Sequence, residues 1–263
     1  MDLIKSCIIA ISMYSKIPMP QFAWNEKSMR YALAFFPLVG MIIGALQLAF
    51  FHFLYQSDRI GSGIYAAIAT AVPIIVTGGI HMDGYCDTID ALSSHQPKER
   101  RLEILKDSNA GAFAVIWTGV YLVLYYGAWT DVRLYETVQL ISAGYISSRA
   151  LSGLAALFFP NANKKGSLAS FSDSAGKAFV CTVLVLLFMA AGIWQILISI
   201  QTGVCILAGE TVLFLYYYKM AKKNFGGITG DLAGWFLQCL ELLVLYIAVI
   251  CKITILVPII KGL

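Results

Sequence analysis

Long apolar runs separated by short polar intervals organise the chain. The first clear run spans about Tyr31 to Tyr55, and the second about Ile60 to Ile80. A polar interval follows from His81 to Asn109. Further runs cover about Ala110 to Trp129, Leu134 to Phe159, Lys177 to Ile200 and Thr202 to Lys219. A polar turn, Lys222 to Gly230, precedes a last run from Asp231 to about Ile260. A helical bilayer crossing needs roughly 20 mostly apolar residues. A barrel strand would instead alternate over about 10 residues. The pattern predicts an all-α fold, a polytopic transmembrane helical bundle of about seven spans. The opening MDLIKSCIIAISMYSK has a short apolar run followed by Lys16, Pro18 and Pro20. It reads as an uncleaved interfacial or re-entrant segment. Residues 1–263 are expected to form a single integral membrane domain.

Composition excludes an ordinary soluble domain. The chain of 263 residues is 59% hydrophobic and 13% charged, against about 25% charged in a typical soluble domain. Its net charge of +4 is modest, and no nucleic-acid partner is expected. Six cysteines are present, none in a C-x-x-C pair, and they read as small buried hydrophobes. The placement of cations says more. Lys16, Lys27 and Arg30 precede the first span; Lys98, Arg100, Arg101 and Lys106 follow the second. Lys164 and Lys165 follow the fourth, and Lys222 and Lys223 the sixth. The alternate loops hold only Arg59 and Arg133. The basic loops are therefore expected to face the cytoplasm, which gathers nearly every polar stretch, and any active site, on that face.

The sequence GGIHMDGYCDTIDAL runs from Gly78 to Leu92. Asp83, Asp87 and Asp90 stand at i, i+4 and i+7, within about 60° of one another on a helix. Like charges so close repel, and a divalent cation reverses that cost. Oxygen ligands suit Mg²⁺, or Mn²⁺. The plainer alternative is a solvated helix start, where aspartates favour the positive end of the dipole. His81 is open to three readings: a base, a phosphate contact, or a partner that holds a ligand in place. NFGGITGDLAGW, Asn224 to Trp235, echoes the first motif: a glycine pair, then Asp231 four residues on. Gln238 and Glu241 lie beyond it in an apolar run, where a carboxylate is either functional or an interhelical tie. RRLEILKDSNAG, Arg100 to Gly111, reads as a short amphipathic helix whose charges include an Arg100–Glu103 pair. Asp107, Ser108 and Asn109 at the span entrance look like site residues, and Lys106 is set to face phosphate. Arg149, within the fourth span, must pair or reach water, and anion binding is one use for it.

Together these motifs resemble the cobalamin synthase (adenosylcobinamide-GDP ribazoletransferase) family. That family carries GGxHxDGLADTxDGL, R-x-E-I-x-K-D-S-x-x-G, and GGxTGD followed by Q-x-x-E. Here they stand as GGIHMDGYCDTIDAL, RLEILKDSNAG, and GGITGD with Gln238 and Glu241. KIPMP and FFPLVGMIIG match as well, so the resemblance covers almost the whole chain. Tyr85, Cys86 and Ala91 depart from the pattern without removing an acidic residue or His81.

The resemblance implies an Mg²⁺-dependent transferase of the prokaryotic cytoplasmic membrane. A ribose hydroxyl of α-ribazole, or of its 5′-phosphate, attacks the phosphorus attached to cobinamide in adenosylcobinamide-GDP, and GMP leaves. It implies metal ligation by Asp83, Asp87 and Asp231, and catalytic roles for His81, Asp90 and Asp107. It implies substrate contacts from Lys106, Ser108, Asn109, Arg149, Gly227 and Thr229. Lipid is the expected surroundings. Other enzymes of cobalamin assembly, or a second copy of the chain, are the protein partners it leaves open. Two other readings compete. A CDP-alcohol phosphotransferase would use similar chemistry, but the A-R pair of its core is absent. An ion-coupled transporter would place Asp83, Asp231 and Glu241 on its path.

Overall fold

The computed structural model describes residues 2–20, 22, 26–107, 109–163 and 176–261. Helix α1 (Asp2–Tyr14) and a single turn, α2 (Glu26–Met29), lead into a 3₁₀ turn, Ala32–Phe35. That turn opens α3 (Phe36–Phe50), which ends in a π turn, Phe51–Tyr55. There follow α4 (Ser62–Thr77), α5 (Ile80–Ser93), α6 (Lys98–Ile104), α7 (Ala112–Thr130) and α8 (Tyr135–Phe158). The last three are α9 (Lys177–Ile198), α10 (Ile200–Phe225) and α11 (Gly230–Lys261). The described residues contain six helical segments long and apolar enough to cross a bilayer, or seven where the bent pair α4–α5 counts as one span. The protein is a multi-pass helical bundle, as the hydropathy pattern predicts.

Helix α8 forms its axis: 94% of its apolar window is buried inside the protein. Lipid tails give helices no hydrophobic reason to associate, so they associate through close backbone approach and polar ties. The small residues Ser142, Ala143, Gly144, Ser147 and Ser148 provide both on α8. A methyl group at Gly144 would lie 2.6 Å from Val244 on α11, and one at Gly153 would lie 2.8 Å from Leu184 on α9. Polar ties complete the packing. Ser142 donates to the Gly44 carbonyl at 3.1 Å, joining α8 to α3. The Gln47 amide donates to the Ala69 carbonyl at 2.8 Å, joining α3 to α4. Ser147 donates to the buried carboxylate of Glu210 on α10. Large apolar side chains such as Val123, Leu186, Leu197 and Val212 are left exposed around the outside, where lipid would meet them.

One expectation is corrected. The apolar run Ile60 to Ile80 reads as a continuous span, with the aspartates on a helical stretch of the polar interval beyond it. Instead α4 has 16 residues, about 24 Å of helix, too short for a core of about 30 Å. The chain breaks at Gly78 and Gly79, whose φ values of 64° and 80° are left-handed, a conformation that costs glycine little. It resumes as α5, turned by 92°. Along α4 and α5 the contacts move steadily down α7. Gly63 faces Tyr126, Cys86 Sγ lies 3.0 Å from Thr118 Oγ1, and Asp90 reaches Gly111 and Ala114. The pair is therefore one broken span, and the aspartates belong to the bundle wall. Three aspartates lower the average hydropathy of α5, yet His81, Gly84, Tyr85, Thr88 and Ala91 form a buried stripe along it.

Candidate active site

The crossing of α5 with the first turns of α11 organises the site. A Cβ added to Gly84 would lie 2.6 Å from the carbonyl oxygen and 2.9 Å from the Cα of Asp231. One added to Gly234 would lie 2.9 Å from the His81 carbonyl. Two glycines therefore let the backbones touch. Asp83 and Asp87 straddle Gly84, and Asp231 sits opposite. The carboxylates of Asp83, Asp231, Asp90 and Asp107 all lie near enough to that of Asp87 to repel it. Among the described residues no cation pairs with Asp83, Asp87 or Asp231. Thr229 caps α11, accepting from the Leu232 N–H at 3.2 Å, and its hydroxyl faces Asp231 Oδ2 at 3.4 Å.

Two cavities meet at Gly230 and Asp231. One, of about 190 Å³, is lined by Met13, Tyr14, Phe36, His81, Asp83 and Asp231, among others. The Tyr14 ring packs 4.1 Å from Phe36, and both rings flank the His81 imidazole. His81 is 5% exposed, and its Nε2 has no hydrogen-bond partner among the described residues. The other cavity, of about 330 Å³, is lined by Leu102, Leu105, Lys106, Asn161, Asn163 and Thr229, with Asp231 again in its wall. Its floor is the bridge between Asn161 and Ile228, where the Ala162 N–H donates to the Ile228 carbonyl at 3.0 Å. Asp231 is thus accessible from both cavities. A third, open cleft of about 630 Å³ reaches Asp83 past Lys16 and Gly78.

Several expected site residues have other tasks in the geometry. Asp90 turns away from its neighbours. Its Oδ1 accepts from the Ala114 N–H at 2.9 Å and its Oδ2 from the Gly111 N–H. It serves the otherwise unpaired amides at the start of α7 rather than a catalytic step. Arg149 is fully buried and ion-paired with Glu241 at 2.7 Å. It also donates to the Tyr145 carbonyl at 3.0 Å. It ties α8 to α11, and its side chain is closed off from solvent. Gly227 lies under the loop that precedes α9: an added Cβ would strike the Pro160 carbonyl and come within 2.6 Å of the Ala162 nitrogen. Its role is close backbone approach rather than substrate contact. Asp107 is exposed and accepts from the Asn109 N–H and side-chain amide, each at 3.0 Å. Those donors hold its carboxyl below the usual carboxylate range. It shapes the turn at Asn109 without reaching either cavity. Ser108, Lys164 and Lys165 lie outside the described residues. The exposed Arg100–Glu103 pair forms at 2.6 Å, as expected, and Arg101 donates to Asn224 at 2.5 Å, holding α6 against the end of α10.

The sequence reading does not single out Tyr14, Phe36 or Asn161, all of which line a cavity. Phe36 and Tyr14 lie in or beside the FFPLVGMIIG and KIPMP stretches, which was the available signal; Asn161 had none.

A metal is implied by the aspartate motif. Among the described residues no three His, Cys, Asp or Glu side chains close on one point. Mg²⁺ does not require such a set, since it keeps waters and takes one or two carboxylates together with substrate phosphates. Oxygen-only carboxylates, without a counter-cation and brought together by the Gly84 contact, fit that pattern.

Fold and site together define a multi-pass membrane enzyme with an acidic site at a helix break. The chain belongs to the cobalamin-5-phosphate synthase family, whose model matches residues 6–249. It is 45% identical over 246 residues to an adenosylcobinamide-GDP ribazoletransferase of Lachnoclostridium phytofermentans, covering 92% of each chain. It is 31% identical to the Clostridium perfringens protein of that name, over 90% of this chain and 94% of the other. With the Treponema denticola protein it shares 32% identity over 92% and 96%. No solved structure matches the chain. The chain is thus a transferase of cobalamin biosynthesis.

Proposed function

We propose that this protein joins adenosylcobinamide-GDP to α-ribazole, or to its 5′-phosphate, on the cytoplasmic face of a prokaryotic membrane. The observation that carries the reading is the Gly84–Asp231 crossing, which sets α5 with Asp83 and Asp87 against Asp231, the carboxylate in the wall of both cavities. A reaction of two large substrates at one phosphorus needs that arrangement. The names of the relatives supply the substrates, and the Lys and Arg distribution supports the orientation.

In this mechanism a ribose hydroxyl oxygen of α-ribazole bonds to the phosphorus attached to cobinamide. The bond from that phosphorus to the bridging oxygen of GDP breaks, and GMP leaves with that oxygen. A carboxylate at the junction of the cavities, Asp83 or Asp231, accepts the hydroxyl proton. Asp87 with whichever of Asp83 and Asp231 does not take the proton would hold Mg²⁺, which would supply charge neutralisation on the pyrophosphate and the leaving GMP. Lys106, on the wall of the larger cavity, is placed to neutralise a further phosphate oxygen. The buried Arg149–Glu241 pair holds α11 at the depth that presents Asp231. That pairing neutralises Glu241 deep in the bundle, so an ion path through Asp83, Asp231 and Glu241 gains no support.

The test is GMP release and corrinoid product formation by purified protein in liposomes with both substrates and Mg²⁺. Product that disappears with EDTA and with Asp83→Asn is the expected result. No product from folded wild-type protein would overturn the reading.

A further inference from the structure

Each cavity flanking Asp231 contains a buried polar atom without a partner among the described residues, and the two atoms differ in chemistry. In the smaller cavity it is His81 Nε2, beside the packed Tyr14 and Phe36 rings. In the larger it is Asn161 Oδ1, in the cavity whose wall also holds Lys106. A buried polar atom without a partner is costly, and a ligand that supplies the partner removes that cost. We infer, on the basis of the function proposed above, that the two cavities divide the two heterocycles of the reaction. The smaller takes the benzimidazole base of α-ribazole, and the larger takes the guanine of adenosylcobinamide-GDP.

Shape and polarity both support this partition. Benzimidazole is a flat, apolar bicycle with one unsubstituted ring nitrogen, an acceptor, and no ring N–H once joined to ribose. The smaller cavity offers Met13, Leu33 and Leu237 with the Tyr14–Phe36 pair, and one ring nitrogen from His81 that can donate. Guanine carries an N–H and an amino group side by side, both donors. Asn161 Oδ1 is an acceptor left without a donor, in a more open cavity where Lys106 can meet the attached phosphates. Among the described residues the smaller cavity has no lysine or arginine in its wall, so it is the poorer host for a nucleoside diphosphate. With the bases so placed, Asp231 stands where the ribose of one substrate meets the pyrophosphate of the other. His81 then recognises the acceptor substrate and takes no proton from the attacking hydroxyl.

The test is steady-state kinetics in nanodiscs with each substrate varied in turn. His81→Phe and Tyr14→Leu should raise the KM for α-ribazole about tenfold, the scale of one stacked or hydrogen-bonded base. Their KM for adenosylcobinamide-GDP should stay within about twofold. Asn161→Leu should do the reverse, and should also erase the preference for adenosylcobinamide-GDP over the ADP analogue. His81→Gln, which keeps a donor, should recover part of the α-ribazole KM. A variant too unstable to assay is replaced by binding of α-ribazole to wild-type protein, competed by the free base 5,6-dimethylbenzimidazole but not by GMP. Equal shifts in both KM values, a reversed assignment, or competition by GMP would overturn the partition. Wild-type protein that forms no product would instead overturn the proposed function itself.

Discussion

A single methyl group at Gly84 should separate the two halves of the site. The added Cβ would lie 2.6 Å from the Asp231 carbonyl oxygen, 2.9 Å from its Cα and 3.2 Å from its carbonyl carbon. All three are backbone atoms, so no side chain can swing aside. Ordinary contact begins near 3.4 Å, so α5 and α11 must part by about 0.8 Å. Overpacking of this kind costs roughly 1–3 kcal/mol of stability. The catalytic cost is larger, because Asp83 and Asp87 move with α5 while Asp231 moves with α11. A misplacement of about 1 Å in reacting groups costs on the order of 100-fold in rate. Gly84→Ala should therefore lower kcat for GMP release by roughly that factor while the protein remains folded and membrane-inserted. Gly119→Ala on α7, where a Cβ meets nothing within 4 Å, serves as the control. Near wild-type kcat for Gly84→Ala would refute the claim that this crossing assembles the site.

Other consequences follow from the same geometry. Asp90→Ala should lower stability by about 1–2 kcal/mol through the lost cap on α7, seen as a lower melting temperature, with kcat per folded molecule close to wild type. Breaking the buried pair with Arg149→Met alone should cost about 3–5 kcal/mol, because Glu241 is left uncompensated. Arg149→Met with Glu241→Leu should recover much of that, and neither should selectively change a substrate KM. Gly227→Ala should loosen the contact with Pro160 and Ala162 that floors the larger cavity, raising the KM for adenosylcobinamide-GDP more than that for α-ribazole. Removing divalent cations with EDTA should abolish turnover, and added Mg²⁺ should restore it, without a change in helix content by circular dichroism.

Hydropathy located the spans because the bilayer sets a length that sequence windows can measure. Tyr31 to Tyr55 became Ala32–Tyr55, and Leu134 to Phe159 became Tyr135–Phe158. A bend at Gly78 and Gly79 was legible from the glycine pair, but its size of 92° was not, because window averages do not register backbone handedness. The aspartate stripe was legible as a pattern, but its division of labour was not. Asp90 differs from Asp83 and Asp87 only because Gly111 and Ala114 arrive beside it from a different helix. Arg149 reads as an anion ligand until Glu241, 92 residues away, is seen to neutralise it. Tyr14 lies in an N-terminal helix expected merely to rest at the interface, and it forms a cavity wall. These roles depend on contacts between distant segments, and no local pattern records them.

The central claim is that Asp83 on α5 and Asp231 on α11 belong to one site. Its most direct test is kcat/KM for GMP release in wild type, Asp83→Asn, Asp231→Asn and the double variant. Residues that act as a unit are strongly non-additive. Each single substitution should cost at least about 100-fold, and the double should cost little more than either. A double variant whose loss equals the product of the single losses, or a single variant with near wild-type activity, would contradict the account.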